Sequence, residues 1–373
     1  MADFSVESLP VNHYFSEPLM LDDRYVLMAQ EMPVTASLKK ILTDWRVKTV
    51  RSNGTAQETY HGAKGEQKKD SVYFLNDTDK LRHAEEFYID FQKYTTEIFD
   101  KFSSNNRVTF DMVAEKIKDV CEEVRINKRF LLQVQNDIPT SNDERFLASH
   151  AVKSTVISIV IGAYLKLPTH RQIELGVAAL LHEIGMVRLP KSILLNKGDL
   201  SVKDKETLML HPALGFEMLK NLDFPMVVCA AALEHHEREN GAGYPRNIFG
   251  NIISLYGKII AVTCSYEAIT AKRPHREAQD AYVGVTDLLR NDGKQYDDSV
   301  LRALVFSLSV YPIGQFVLLT NGQKGQVVDV NPNDPRYPVV QVIGEQTLDG
   351  RNNIIKTVAG GIHIQKPIDK TEV

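Results

Sequence analysis

Three cysteines, one tryptophan and no apolar run near bilayer length leave the sequence without the usual marks of a secreted scaffold or a membrane span. Cys121, Cys229 and Cys264 are too few to staple a fold through disulfides and fit a reducing compartment. Apolar stretches such as Val227–Leu233 fall well short of the roughly 20 residues a helix needs to cross a bilayer. The opening MADFSVESLPVNHYF has neither the basic stretch nor the apolar core of a secretory signal. An excess of one charge is also missing. Lys plus Arg is 44 and Asp plus Glu is 48, a net charge of −4, which argues against a protein that wraps long nucleic acid but allows a small anionic ligand. With 43% hydrophobic and 25% charged residues, wholesale disorder and fibrous repeats are excluded. The expectation is a soluble cytoplasmic protein of 373 residues, with two domains or one domain and appendages.

Residues 17–50 alternate apolar runs with a short helical pattern, in which Thr35 is the N-cap and Leu38, Ile41, Leu42 and Trp45 share a face. This predicts a small α/β module. Residues 51–72 are polar and Gly-containing and read as a mobile loop or linker. The module and its linker are taken as 1–78, followed by a helical connecting region over 79–141. Amphipathic patterns then predict helices over 144–165, 171–184, 202–221, 225–239, 251–271, 274–292 and 297–310, a helical core spanning 142–312. From 313 to 373 the β-prone runs Phe316–Leu319, Gln326–Val330 and Val339–Ile343 predict a small β-rich appendage. The expected class is mainly α.

His150, His170, His182, His211, His235 and His236 all fall in the helical core. Any one of them alone would be read as a satisfied core histidine. Their arrangement is more telling. His182-Glu183 follows the apolar run Val177–Leu181, and His235-His236 follows Val228–Leu233. Buried polar pairs at the ends of apolar helices are costly unless paired or bound to a cation. Neighbouring residues on a helix point about 100° apart, so such doublets suit two adjacent ions bridged by a carboxylate. Imidazole with carboxylate favours zinc, manganese or iron over magnesium or calcium. After the second doublet, Asn240-Gly241-Ala242-Gly243-Tyr244-Pro245 predicts a tight exposed turn whose aromatic could stack on a base or sugar. Lys272, Arg273 and Arg276 group cations across a helix break, a candidate phosphate hold. Taken singly, each of these two stretches is an ordinary turn or helix end.

Together the stretches LLHEIGMVRLPKSILLNKGDLS, HPALGFEML, EHHERENGAGYP, GKIIAVTCSYEAITAKRPHR and YPIGQFVLLTNGQKGQVVDVNP resemble the HD-GYP family of metal-dependent phosphohydrolases, from about residue 142 to 343. The resemblance implies an all-helical core that hydrolyses the bacterial second messenger cyclic di-GMP with a metal-bridged hydroxide, using iron or manganese. It implies metal ligation by His150, His182, Glu183, His211, His235 and His236, with His182 and Glu183 catalytic, and substrate contacts at Gly243, Tyr244, Arg273 and Arg276. The chain also departs from the pattern. Glu183 stands for the usual Asp, Met186 for a Lys, Cys264 for a further Asp ligand, and Asn240 for an Asp before Gly. Cys264 either ligates as a thiolate or is a small buried residue, and Glu267, one turn on, could reach in instead. Phe146 replaces the Glu of three-metal relatives, so two ions are expected. The partner is cyclic di-GMP, not a nucleic acid polymer or a membrane, with the N-terminal region as a surface for self-association or a protein partner. Alternatives are a catalytically weakened cyclic di-GMP receptor, or a hydrolase of another cyclic dinucleotide or nucleotide.

Overall fold

Helix boundaries in this chain are set by prolines and short polar caps. Pro168, Pro190 and Pro225 stand at the N-caps of three helices, where a missing backbone N–H costs nothing. Ser201, Ser254, Asp280 and Asp297 cap four others by accepting backbone N–H bonds. The structure, a computed structural model, describes residues 2–11, 13–21, 26–28, 34–44, 47–57, 77–134, 146–196, 198–271, 278–346 and 352–373. It divides into two units, Met1–Tyr73 and Phe74–Val373.

The first unit contains β1 (Ala2–Ser5), β2 (Tyr14–Phe15), β3 (Leu19–Met20), β4 (Val26–Met28), α1 (Ala36–Asp44), β5 (Thr49–Ser52) and β6 (Ala56–Gln57). An antiparallel sheet runs in the order β1-β5-β3-β4, and β2 pairs with β6. Thr35 caps α1 by accepting from Leu38 N at 3.0 Å. Its core holds Leu9, Phe15, Leu19, Val34, Leu42 and Val50. The Ile41 side chain and Trp45 lie outside the described residues. The linker expected from residue 51 instead begins as strand. β5 and β6 find partners within the module despite their polar sequence, and residues 58–72 are not described.

The second unit begins with α2 (Asp77–Ser103), α3 (Phe110–Val134), α4 (Phe146–Tyr164) and α5 (Thr169–Leu181). A 3-10 turn over Ile184–Arg188 leads to α6 (Lys191–Leu194), α7 (Val202–Leu208), α8 (His211–Asn221) and α9 (Met226–Glu234). Then follow α10 (Leu255–Thr270), α11 (Ala281–Arg290) and α12 (Asp298–Leu308). α4 lies at the centre, with Leu147–Gly162 all buried against α2, α5, α10 and α12. By length and composition α4 could span a bilayer, contrary to the expectation from apolar runs. Lys153, Ser154, Thr155 and Ser158 interrupt the run without making the helix polar overall.

The helix expected over 202–221 is two helices, because Pro212 restarts the chain at the first turn of α8. The helix expected over 225–239 stops at Glu234, where the chain turns back to form the loop after the second doublet. The expected helices 251–271 and 274–292 shorten to α10 and α11, and residues 272–277 are not described. At the C-terminal end, β7 (Phe316–Leu319), β8 (Lys324–Asp329), β9 (Val339–Gln346), β10 (Asn352–Lys356) and β11 (Ile364–Pro367) form an antiparallel sheet ordered β10-β9-β8-β7-β11. Val317, Leu319, Val327, Val340 and Ile364 belong to the same core as the helices. Gln133 on α3 donates to Gln326 Oε1 on β8 at 3.0 Å.

Candidate metal centre

Three helix ends build the same device. His182 follows the last residue of α5, and its Nδ1 is 2.6 Å from Ala179 O. His235 follows α9, with Nδ1 2.8 Å from Ala232 O. His211 comes just after α7, with Nδ1 2.7 Å from Leu208 O. Carbonyls in the last turn of a helix lack intrahelical partners, so each can accept an imidazole N–H three residues on. That hydrogen bond fixes the neutral tautomer and leaves Nε2 as a bare lone pair. His150, inside α4, has its Nδ1 against the carboxylate of Glu267 on α10.

The Nε2 atoms converge. His150 and His182 approach to 3.2 Å, and so do His211 and His235. Glu183 lies between the two pairs. Its Oε1 is 3.8 Å from His150 Nε2 and 3.9 Å from His182 Nε2, and its Oε2 is 3.1 Å from His211 Nε2. Two groups of ligating atoms result, each lying within 4.8 Å of one another: His150, His182, Glu183 and Cys264, then Glu183, His211, His235 and His236. All but the half-buried His236 are buried.

The electrostatics separate the two groups. Burial pushes His235 and His236 well below the usual imidazole range, and the other imidazoles packed beside them push the same way. Burial likewise lowers His211, against the pull of Glu183. His150 goes the other way: burial opposes its charge, but Glu267 and then Cys264 outweigh burial and raise it to about 10. Burial opposes the charge of Glu183, and the imidazoles packed around it, His211 first and then His182, pull the other way and lower it. For Cys264, burial is outweighed first by His150, which brings the thiol down to about 6.

A protonated His150 can donate from Nε2 to His182. No such repair exists at His211 and His235, whose Nδ1 protons are already committed and whose low pKa values keep Nε2 bare. Glu183 Oε2 is buried without a hydrogen bond beside them. Two lone pairs and a carboxylate oxygen facing one another want a cation, so these residues fit a divalent metal.

The loop after His236 closes one side. Tyr244 stacks on His236 with centroids 4.6 Å apart and planes at 19°. The ring expected free on an exposed turn therefore has one face on a histidine of the centre. Burial raises its hydroxyl pKa. Gly243 is buried, and a Cβ there would lie 2.4 Å from His236 O. Two acids unassigned from sequence shape this loop. Glu237 accepts from Arg246 N at 2.7 Å and Ile248 N at 3.1 Å, and Glu234 accepts from Ser254 N at 2.8 Å and pairs with Arg246. Their spacing of three beside the His-His doublet was the available signal.

A cavity of about 270 Å³ has His150 and Glu183 in its wall, with Phe146, Met186, Asn196 and Lys205. Glu267, the suggested substitute ligand, belongs to neither metal group; its carboxylate is against His150 Nδ1. His170 is exposed on α5. Lys272, Arg273 and Arg276 lie outside the described residues.

The HD domain family matches residues 133–300. A cyclic di-GMP phosphodiesterase of Borreliella burgdorferi is 24% identical over 194 residues, covering 52% of this chain and 51% of that protein. One from Pseudomonas aeruginosa is 32% identical over 206 residues, covering 55% and 49%. A 3'3'-cGAMP-specific phosphodiesterase of Vibrio cholerae is 29% identical over 167 residues, covering 45% and 36%. The chain thus spans about half the length, or less, of these relatives. In fold it is similar to Bd1817, described as an HDG"Y"P protein, from Bdellovibrio bacteriovorus: the TM-score is 0.51 at 13% identity, covering 81% of this chain and 97% of that one. Residues 133–300 of this chain thus resemble an HD domain.

Proposed function

We propose that this protein hydrolyses the phosphodiester bonds of cyclic di-GMP at a centre of two divalent ions, iron or manganese. The observation that carries this reading is the convergence of histidine Nε2 atoms on both sides of Glu183, with those of His211 and His235 bare and the two carboxylate oxygens facing different histidine groups. His150, His182, Glu183 and Cys264 would hold one ion, and Glu183, His211, His235 and His236 the other. Bound metals would supply an acidified water and neutralise charge on the phosphoryl oxygens.

The chain itself orients and excludes. Helix-end carbonyls hold three imidazoles in one tautomer, and the Glu234–Glu237 clamp sets the Gly243-Tyr244 loop over His236. Substrate would enter by the cavity bearing His150 and Glu183, and Arg273 and Arg276 would meet its phosphates. Met186 in that wall replaces a family lysine with an apolar contact. We place the protein in the cytoplasm, where its three free thiols stay reduced, and read the N-terminal unit as a surface for self-association or a partner.

The test is anaerobic purification with metal analysis, then product identification on cyclic di-GMP and on 3'3'-cGAMP, the substrate named for one relative. Expected are two ions per chain, none of them a third, and chelator-sensitive turnover. Glu183→Ala should abolish turnover while the protein stays folded. Binding of cyclic di-GMP without turnover in the metal-loaded protein would instead make it a receptor.

A further inference from the structure

We propose that the two metal positions are chemically unlike: Cys264 makes one a nitrogen-sulfur position that takes a thiophilic ion, while the other is a nitrogen-oxygen position. The inference rests on the dinuclear reading above and goes beyond it by assigning different metal preferences to its halves.

The geometry separates the halves cleanly. Cys264 Sγ lies in the group with His150, His182 and Glu183, and the second group contains Glu183 and three imidazoles but no sulfur. Cys264 is a free thiol on the inner face of α10, 7% exposed. The other buried cysteine gives a contrast. Cys229 on α9 has an ordinary backbone contact, Sγ to Phe224 O at 3.5 Å, and belongs to neither group. Glu267, one turn after Cys264, occupies His150 Nδ1 and so leaves Nε2 as the atom aimed at the thiol's group. The same helix therefore supplies both a ligand and the acceptor that orients its neighbour.

Thiolate selects zinc, iron or cobalt over manganese and magnesium, whereas imidazole and carboxylate discriminate less. Binding displaces the one proton held between Cys264 and His150: it leaves to solvent, and the thiolate and Nε2 lone pairs form the bonds to the ion. No oxidant or reductant is involved. The sulfur position should then fill first and hold its ion longest.

Cobalt(II) reports this directly, because a thiolate ligand adds a charge-transfer band in the near ultraviolet to the weak visible bands of the ion. Metal-free full-length protein is titrated anaerobically with cobalt(II), then challenged with zinc. The charge-transfer band should saturate at one equivalent while total binding reaches two. It should vanish in Cys264→Ser and Cys264→Asp and persist in Cys121→Ser/Cys229→Ser. Cys264→Asp should still bind two ions, with its preference moved toward manganese. Two bound ions in the wild type with no charge-transfer band, or a band unchanged in Cys264→Ser, would overturn the inference and leave the dinuclear reading standing. Fewer than two bound ions would sink the dinuclear reading itself, and this inference with it.

Discussion

At the scale of single residues, the centre depends on where each imidazole proton is parked. His182, His211 and His235 donate theirs to carbonyls, so the backbone turns their Nε2 atoms toward the centre. His150 is held by a side chain, and that contact is open to mutation. Replacing an acceptor behind a ligating histidine typically costs about 10–100-fold in metal affinity. Glu267→Ala should show that loss by competitive chelator titration, with Glu267→Gln retaining part of it. The metal-free protein gives a second readout. Its His150 pKa is raised from 6.5 to about 10, so the pair stabilises the fold fully below 6.5 and loses that effect as pH rises through 10. The stability deficit of Glu267→Ala should therefore be larger at pH 6 than at pH 10. A deficit that grows with pH would exclude this role for Glu267.

At the scale of elements, close approach between the 3-10 turn and α8 brings Glu183 against His211. Gly185 permits it: a Cβ there would lie 1.9 Å from His211 O and 2.6 Å from Gly215 N, both backbone atoms that cannot swing aside. Gly185→Ala should cost about 1–3 kcal/mol through overpacking and reduce bound metal, read by thermal unfolding and metal analysis. A variant with native stability and full metal would show that the turn can shift freely.

Much of this was legible in the sequence. Apolar runs leading into His182-Glu183 and His235-His236 point to helix ends bearing candidate ligands, although the helix expected over 225–239 runs past the second doublet, and prolines mark where helices begin. The clamp on the Gly-Tyr-Pro loop showed only in the spacing of Glu234 and Glu237, because the backbone N–H groups they bind 9 to 20 residues ahead leave no side-chain pattern. The break between α7 and α8 was hidden by an amphipathic pattern that runs across it. The strands β5 and β6 are polar, and only their pairing partners identify them.

At the scale of the molecule, the C-terminal sheet and the helices of the second unit share one core. Burying a side chain such as Val317, Leu319 or Val327 contributes about 1.5–3 kcal/mol, and a domain's whole stability is about 5–15 kcal/mol. Removing residues 313–373 should therefore cost several kcal/mol and broaden or abolish cooperative unfolding, as followed by calorimetry. An equally stable truncated protein would show that the helices close without the sheet.

The buried α4 has a consequence for synthesis. Chains emerge N-terminus first at about 5–20 residues per second, and the carboxylate that meets His150 is 117 residues downstream. A helix of bilayer-spanning character therefore waits several seconds with α10 still unmade. During that interval α2, α3 and the newly made α5 are the native cover it has, and how well they shield it decides whether the nascent chain folds or sticks.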